Sequence, residues 1–113
     1  MLPARYRLSG KENFAIIKNK GKVSNSASYS MLYLNNNLGK LRIGVVVSTR
    51  VAKNASLRNR VKRILKECLR YEVKNITPSY DLLFLTKRSI LGKEKEVLRK
   101  EIQLSLQKEN LTI

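Results

Sequence analysis

The sequence predicts an α+β domain whose elements run α-β-β-α-β-α and pack as a two-layer sandwich. Three observations carry that prediction. Runs at 23–34, 41–48 and 80–86 have strand character. A stretch at 55–74 repeats its apolar residues with helical period. A length of 113 residues suits one domain, 1–113, and leaves little room for a second. Apolar residues make up 42% of the chain, enough for a packed core.

Residues 1–8 form a basic N-terminal extension. Ser9-Gly10-Lys11-Glu12 then has the pattern of a capping box, in which the Ser9 hydroxyl and the Glu12 carboxylate satisfy free N–H groups at a helix start. Phe14, Ile17 and Ala15 give that helix an apolar side, and Gly21 suits its end. The run 23–34, rich in Ser, Tyr and Leu, is the first strand. Asn35-Asn36-Asn37-Leu38-Gly39 is a turn, since Asn and Gly tolerate positive φ. The run 41–48, with Ile43, Val45, Val46 and Val47, is a second strand buried on both faces, expected to form a hairpin with the first. In the helix 55–74, Leu57, Val61, Ile64, Leu65, Cys68 and Tyr71 share one side, with Asn59, Lys62, Arg63, Lys66, Arg70 and Lys74 opposite. Pro78 breaks the chain before the third strand, 80–86. A last helix, 93–108, presents Val97, Leu98, Ile102, Leu104 or Ser105, and Leu106 to the sheet. The second and third strands flank a helix, which allows them to pair in parallel.

Charge narrows the function. There are 24 Lys and Arg against 8 Asp and Glu, a net +16. Residues 1–23 carry +5, residues 24–39 none, residues 40–74 carry +9 and residues 75–113 only +2. A polyanion therefore meets the first and central segments. The chain has no His, which excludes Ser–His and Cys–His nucleophiles and imidazole metal sites. One Asp and seven scattered Glu do not suggest a carboxylate metal cage. Cys68, the one Cys, excludes an internal disulfide and fits a reducing compartment; on the apolar side of its helix it reads as a small hydrophobe. Asp81, at a strand start, reads as a turn acceptor or a salt-bridge partner. No apolar run approaches the ~20 residues that span a bilayer, and no signal-peptide core is present, so a cytoplasmic location is expected. The long basic helix could lie on an anionic membrane, but its apolar side is needed to cover the sheet.

The densest signal is Arg58-Asn59-Arg60-Val61-Lys62-Arg63 at a helix start, where guanidinium forks and free N–H groups suit phosphate together. A solvated basic face is the plainer reading. Arg50, Lys53 and Asn54 add donors in the loop before it.

Arg42-Ile43-Gly44-Val45-Val46-Val47-Ser48, a basic loop, and then Asn54-Ala55-Ser56-Leu57-Arg58-Asn59-Arg60-Val61-Lys62-Arg63 closely resemble the bacterial ribonuclease P protein family. Leu8, Asn13-Phe14 and Lys20-Gly21 resemble that family's first helix, so the likeness runs from about Arg5 to Leu106. It implies a ribonuclease P protein-like fold with a left-handed βαβ crossover, against the general right-handed rule. It also implies a function: to bind a catalytic RNA and the 5′ leader of precursor tRNA, while the RNA and its Mg2+ ions cut the leader away. The chain would then be an accessory subunit with no catalytic residue of its own. Its partners would be the catalytic RNA and precursor tRNA, with no DNA and no membrane; the Mg2+ would be held mainly by the RNA, and no residue of this chain is assigned to a metal.

The likeness assigns Arg58, Asn59, Arg60, Lys62, Arg63 and Lys66 to the catalytic RNA. To the leader it assigns Phe14, Lys18, Arg50, Lys53 and Tyr29 or Tyr33, aromatic faces being tolerant of any base. Phe14 reads equally as a core residue. Tyr29 and Tyr33, four apart, share one strand face and could instead both pack beneath a helix, leaving the cleft position to Leu32. Lys18 stands where some relatives carry a second aromatic, and Thr49-Arg50 where many carry two Lys. A structural RNA-binding protein, such as a small ribosomal protein, is the alternative. A protein-only nuclease fits poorly with no His and few acids.

Overall fold

A computed structural model describes residues 2–113. Its elements are α1 (Lys11–Lys20), β1 (Lys22–Asn25), β2 (Tyr29–Asn35), β3 (Arg42–Val46), α2 (Ala55–Arg70), β4 (Tyr80–Thr86) and α3 (Lys95–Lys108). They form a four-stranded sheet in the order β1-β2-β4-β3, antiparallel except for the parallel pair β3 and β4 joined through α2. The α+β architecture, the strand at 80–86 and the parallel pairing all match expectation.

Two expectations on the strands do not hold. The run 23–34 is two strands, because Ser26-Ala27-Ser28 turns the chain back, with the Ser26 amide donating to the Tyr29 carbonyl at 2.9 Å. The hairpin is therefore β1 with β2. β3 does not pair with β2, because β4 lies between them. The capping box is also absent. Gly10, at φ 96°, takes the N-cap and turns Ser9 out of the helix, and no side chain caps it. Asn13 Nδ2 instead donates to the Ser9 carbonyl at 2.7 Å.

Residues opposite one another across paired strands share a face. The register therefore sorts the sheet. Tyr29, Met31, Tyr33, Leu82, Phe84, Ile43 and Val45 point one way, and Leu32, Leu34, Leu83, Leu85, Gly44 and Val46 the other. The first face packs with Leu65, Cys68 and Leu69 of α2 and Leu98, Ile102 and Leu106 of α3 into the larger core. Each such side chain withdrawn from water contributes roughly 1.5–3 kcal/mol. The second face packs with Leu8 and with Ile17 of α1. On α3, Val97 and Leu104 stay exposed and Ser105 turns in, so the inward stripe is narrower than its apolar residues suggest.

The N-terminal segment is part of the fold. The Leu8 amide donates to the Ile43 carbonyl at 2.9 Å and Arg7 bridges Ile43, which covers the free edge of β3. Met1, the first residue of the expected extension, lies outside the described residues.

Candidate nucleic-acid interface

The start of α2 is built by its own side chains. Asn54 Oδ1 accepts from the Ser56 and Leu57 amides at 2.8 and 3.3 Å, a regular N-cap. Arg58 Nη1 donates to the Ala52 and Lys53 carbonyls at 2.9 and 2.8 Å. Val51 and Ala52 are buried beneath the loop. Arg58 is thus engaged in shaping the loop that carries Arg50 and Lys53.

Outside that clasp the helix is free. Asn59, Arg60 and Arg63 are exposed, and Lys62 and Lys66 are half-exposed. Among the described residues, Arg60, Lys62, Arg63 and Lys66 have no acidic partner. Four cations without counter-charge on one helix form a surface of strongly positive potential.

Arg88 was missed by the sequence reading. It follows β4 and lines a cleft of about 380 Å³ with Arg50 and Lys53. The parallel pairing of β3 with β4 brings those two connections to the same end of the sheet, a long-range fact that local sequence does not contain.

Phe14 lies half-buried over Gly44. A Cβ at Gly44 would stand 3.2 Å from Phe14 Cε1 and 3.1 Å from Leu83 Cδ1, so a larger residue there displaces the ring. Phe14 lines the smaller core cluster, and it also opens on a groove of about 140 Å³ shared with Arg7, Leu8 and Lys66. Lys18, one turn on, is exposed. Beside them the row Ser30, Leu85 and Val46 leaves part of that sheet face half-exposed.

The two tyrosines are not with Phe14. Tyr29 is fully buried on the opposite face, its hydroxyl 2.7 Å from Ser105 Oγ and its ring edge-on to Phe84 at 5.1 Å. Burial pushes its pKa up to about 12. A buried ring cannot stack on a base, which removes Tyr29 from the leader site. Tyr33, on the same face, donates to Glu109 near the end of α3, and that bond raises its pKa to about 12. Leu32 faces Phe14's side but is buried with Ile17 and Leu83.

Asp81 and Glu101 are committed to structure. Asp81 takes a fork from Arg42, Nε at 2.8 Å and Nη2 at 2.7 Å, and accepts from Asn36 in the turn at 2.8 Å. It is thus both salt-bridge partner and turn acceptor. The Arg42 guanidinium is held further toward its charged form by that bond to Asp81. Glu101 accepts from the Ser26 and Ser28 hydroxyls and the Ser28 amide, with Lys93 at 3.6 Å. Among the described residues no group of three or more His, Cys, Asp or Glu could hold a metal ion. The donor set does not fit a resident metal. Burial raises the pKa of the Cys68 thiol, which leaves it inert.

These features define a class: a small α+β domain with a strongly basic surface along α2. Comparison with known proteins narrows it. The ribonuclease P family model matches residues 2–110. The ribonuclease P protein component of a Synechococcus species is 33% identical over 117 residues, covering 100% of this chain and 88% of that protein. That of Clostridium novyi is 38% identical over 96 residues, covering 82% and 80%. Among solved structures, the Staphylococcus aureus RNase P protein superposes with a TM-score of 0.84 at 21% identity, covering 96% of this chain and 98% of that one. The Thermotoga maritima protein gives 0.82 at 22% identity, covering 92% and 97%. Both agree on the fold.

The chain belongs to the ribonuclease P protein family. It is a protein component of a tRNA-processing ribonucleoprotein whose catalysis is borne by RNA. Among the described residues no helix is long and apolar enough to cross a membrane.

Proposed function

We propose that this chain binds the catalytic RNA through the outward side of α2 and the 5′ leader of precursor tRNA through the surface around Phe14. The observation that carries the first half is the uncompensated charge of Arg60, Lys62, Arg63 and Lys66, with Asn59 beside them. Phosphate oxygens accept from such groups, and counterions released from the RNA favour the complex. For the leader, Phe14 offers a half-exposed π-face, while Lys18, Arg50, Lys53 and Arg88 offer phosphate contacts. Mg2+ belongs with the RNA in this reading. The protein's part is to neutralise phosphate charge, which lets the RNA hold its ions, and to orient the substrate strand. The ribosomal-protein alternative has no observation in its favour.

The test is the salt dependence of catalytic-RNA binding by Arg60→Ala/Lys62→Ala. Each lost phosphate contact should lower the slope of log affinity on log salt by roughly 0.7–0.9. An unchanged slope in a folded variant contradicts the assignment.

A further inference from the structure

Tyr71 ends α2 and is 48% exposed, yet its nearest companions are charged. The guanidinium carbon of Arg70 lies 5.1 Å from its ring centre and that of Arg99, on α3, 4.7 Å. Arg70 also reaches the Tyr71 hydroxyl at 3.4 Å and Glu67 at 3.3 Å. Arg99 Nε is buried without an acceptor, the one such side-chain atom found among the described residues. Lys95 belongs to the same corner: it and Arg99 both act electrostatically on Cys68, and Lys95 acts on Glu67. Two guanidinium groups thus flank one ring, with Lys95 and the carboxylate of Glu67 in the same corner.

Cations held this close repel one another. A cation–π contact at an exposed site returns only about 0.5–1 kcal/mol. An anion placed among them would relieve the repulsion, and a guanidinium fork is the natural partner of a phosphate. Position supplies the source of that anion. Asn59, Arg63, Lys66 and Arg70 recur at helical spacing on one stripe of α2, so the corner continues the basic side of the helix. From Arg60 to Arg70 the axis runs about 15 Å at ~1.5 Å per residue.

We propose that Arg70, Arg99 and the Tyr71 hydroxyl form a second phosphate-binding site, filled by a backbone phosphate of the RNA that lies along α2. This rests on the proposed use of α2 as the catalytic-RNA surface. It extends that surface to the α2–α3 junction, and it gives Tyr71 a role in holding two guanidinium groups in place.

The experiment uses the reconstituted complex of full-length protein and catalytic RNA. Arg70→Gln/Arg99→Gln should lower the salt slope by about 1.4–1.8, two contacts' worth. The preference for precursor over mature tRNA should not change. Lys100→Gln/Lys108→Gln, which removes equal charge from exposed positions elsewhere on α3, should leave the slope alone. The charge-keeping Arg70→Lys/Arg99→Lys should restore most of it. An unchanged slope in the Gln variant, an equal fall in the Lys100/Lys108 control, or no recovery with Lys overturns the proposal. Arg70→Gln alone, at a largely exposed side chain, carries the test if the double variant loses its fold; it should lower the slope by about 0.7–0.9. A fall with Arg60→Ala/Lys62→Ala but none here rejects this site alone. No fall with either rejects the α2 surface as a whole.

Discussion

Phe14 packs on the smaller core cluster and also lines a groove, half-exposed, so it anchors α1 and is the residue on which the proposed leader contact turns. Stacking is worth about 1–3 kcal/mol per base. Phe14→Leu should therefore weaken precursor tRNA binding by the holoenzyme by an amount within or below that range and leave mature tRNA almost unchanged. Equal losses on both, or a loss traced only to a lower Tm, would make the ring purely structural. Arg58 invites a different experiment. Its clasp on the Ala52 and Lys53 carbonyls predicts that Arg58→Ala acts through the loop. In a background already lacking Arg50 and Lys53 it should cost clearly less RNA affinity than in the wild type; full additivity would mean that Arg58 meets phosphate independently. At this scale the sequence was only partly legible. Residue type and the motif around Arg58-Asn59-Arg60 pointed to a phosphate surface. They could not tell which strand face Tyr29 and Tyr33 occupy, because period-2 alternation groups residues without saying what covers them.

The β1–β2 hairpin is pinned to α3 through Glu101, which gathers Ser26, Ser28 and Lys93. Burial alone would raise the Glu101 pKa, but the bonds from Ser26 and Ser28 and the charge of Lys93 outweigh it and hold it below the usual carboxylate value. A carboxylate whose folded pKa is depressed contributes stability above its unfolded pKa, about 4.3, and that contribution is lost as pH falls through the folded value. Glu101→Gln should therefore lower Tm at pH 7, and the gap from wild type should narrow as pH drops below about 4. A gap independent of pH would mean that the charge is immaterial to the latch. This latch also explains the strand that the sequence ran together. Ser26-Ala27-Ser28 has no Gly or Pro to announce a turn, and its anchor lies on another helix. The third strand was legible as a short continuous apolar run after Pro78, and the body of α2 by its one clear helical period. The capping box failed because Gly10 could take the N-cap itself.

Across the whole molecule, charge and topology divide the labour. The larger core lies between the sheet and the paired helices α2 and α3, which leaves the outward side of α2 free. The other sheet face is covered only in part, by α1 and the N-terminal segment, and there Phe14 stands at a groove. The uneven spread of +16 was readable from composition. The meeting of Arg50, Lys53 and Arg88 was not, since it depends on β3 pairing with β4. As a ribonuclease P protein component, this chain assists an RNA catalyst and leaves the cutting to it. Cleavage of a precursor tRNA, measured with the protein alone, the catalytic RNA alone and the two together at low Mg2+, tests it most directly. The protein alone should cut nothing, and the pair should cut faster than the RNA. Cleavage by the protein without RNA, or a pair no faster than the RNA, would contradict it.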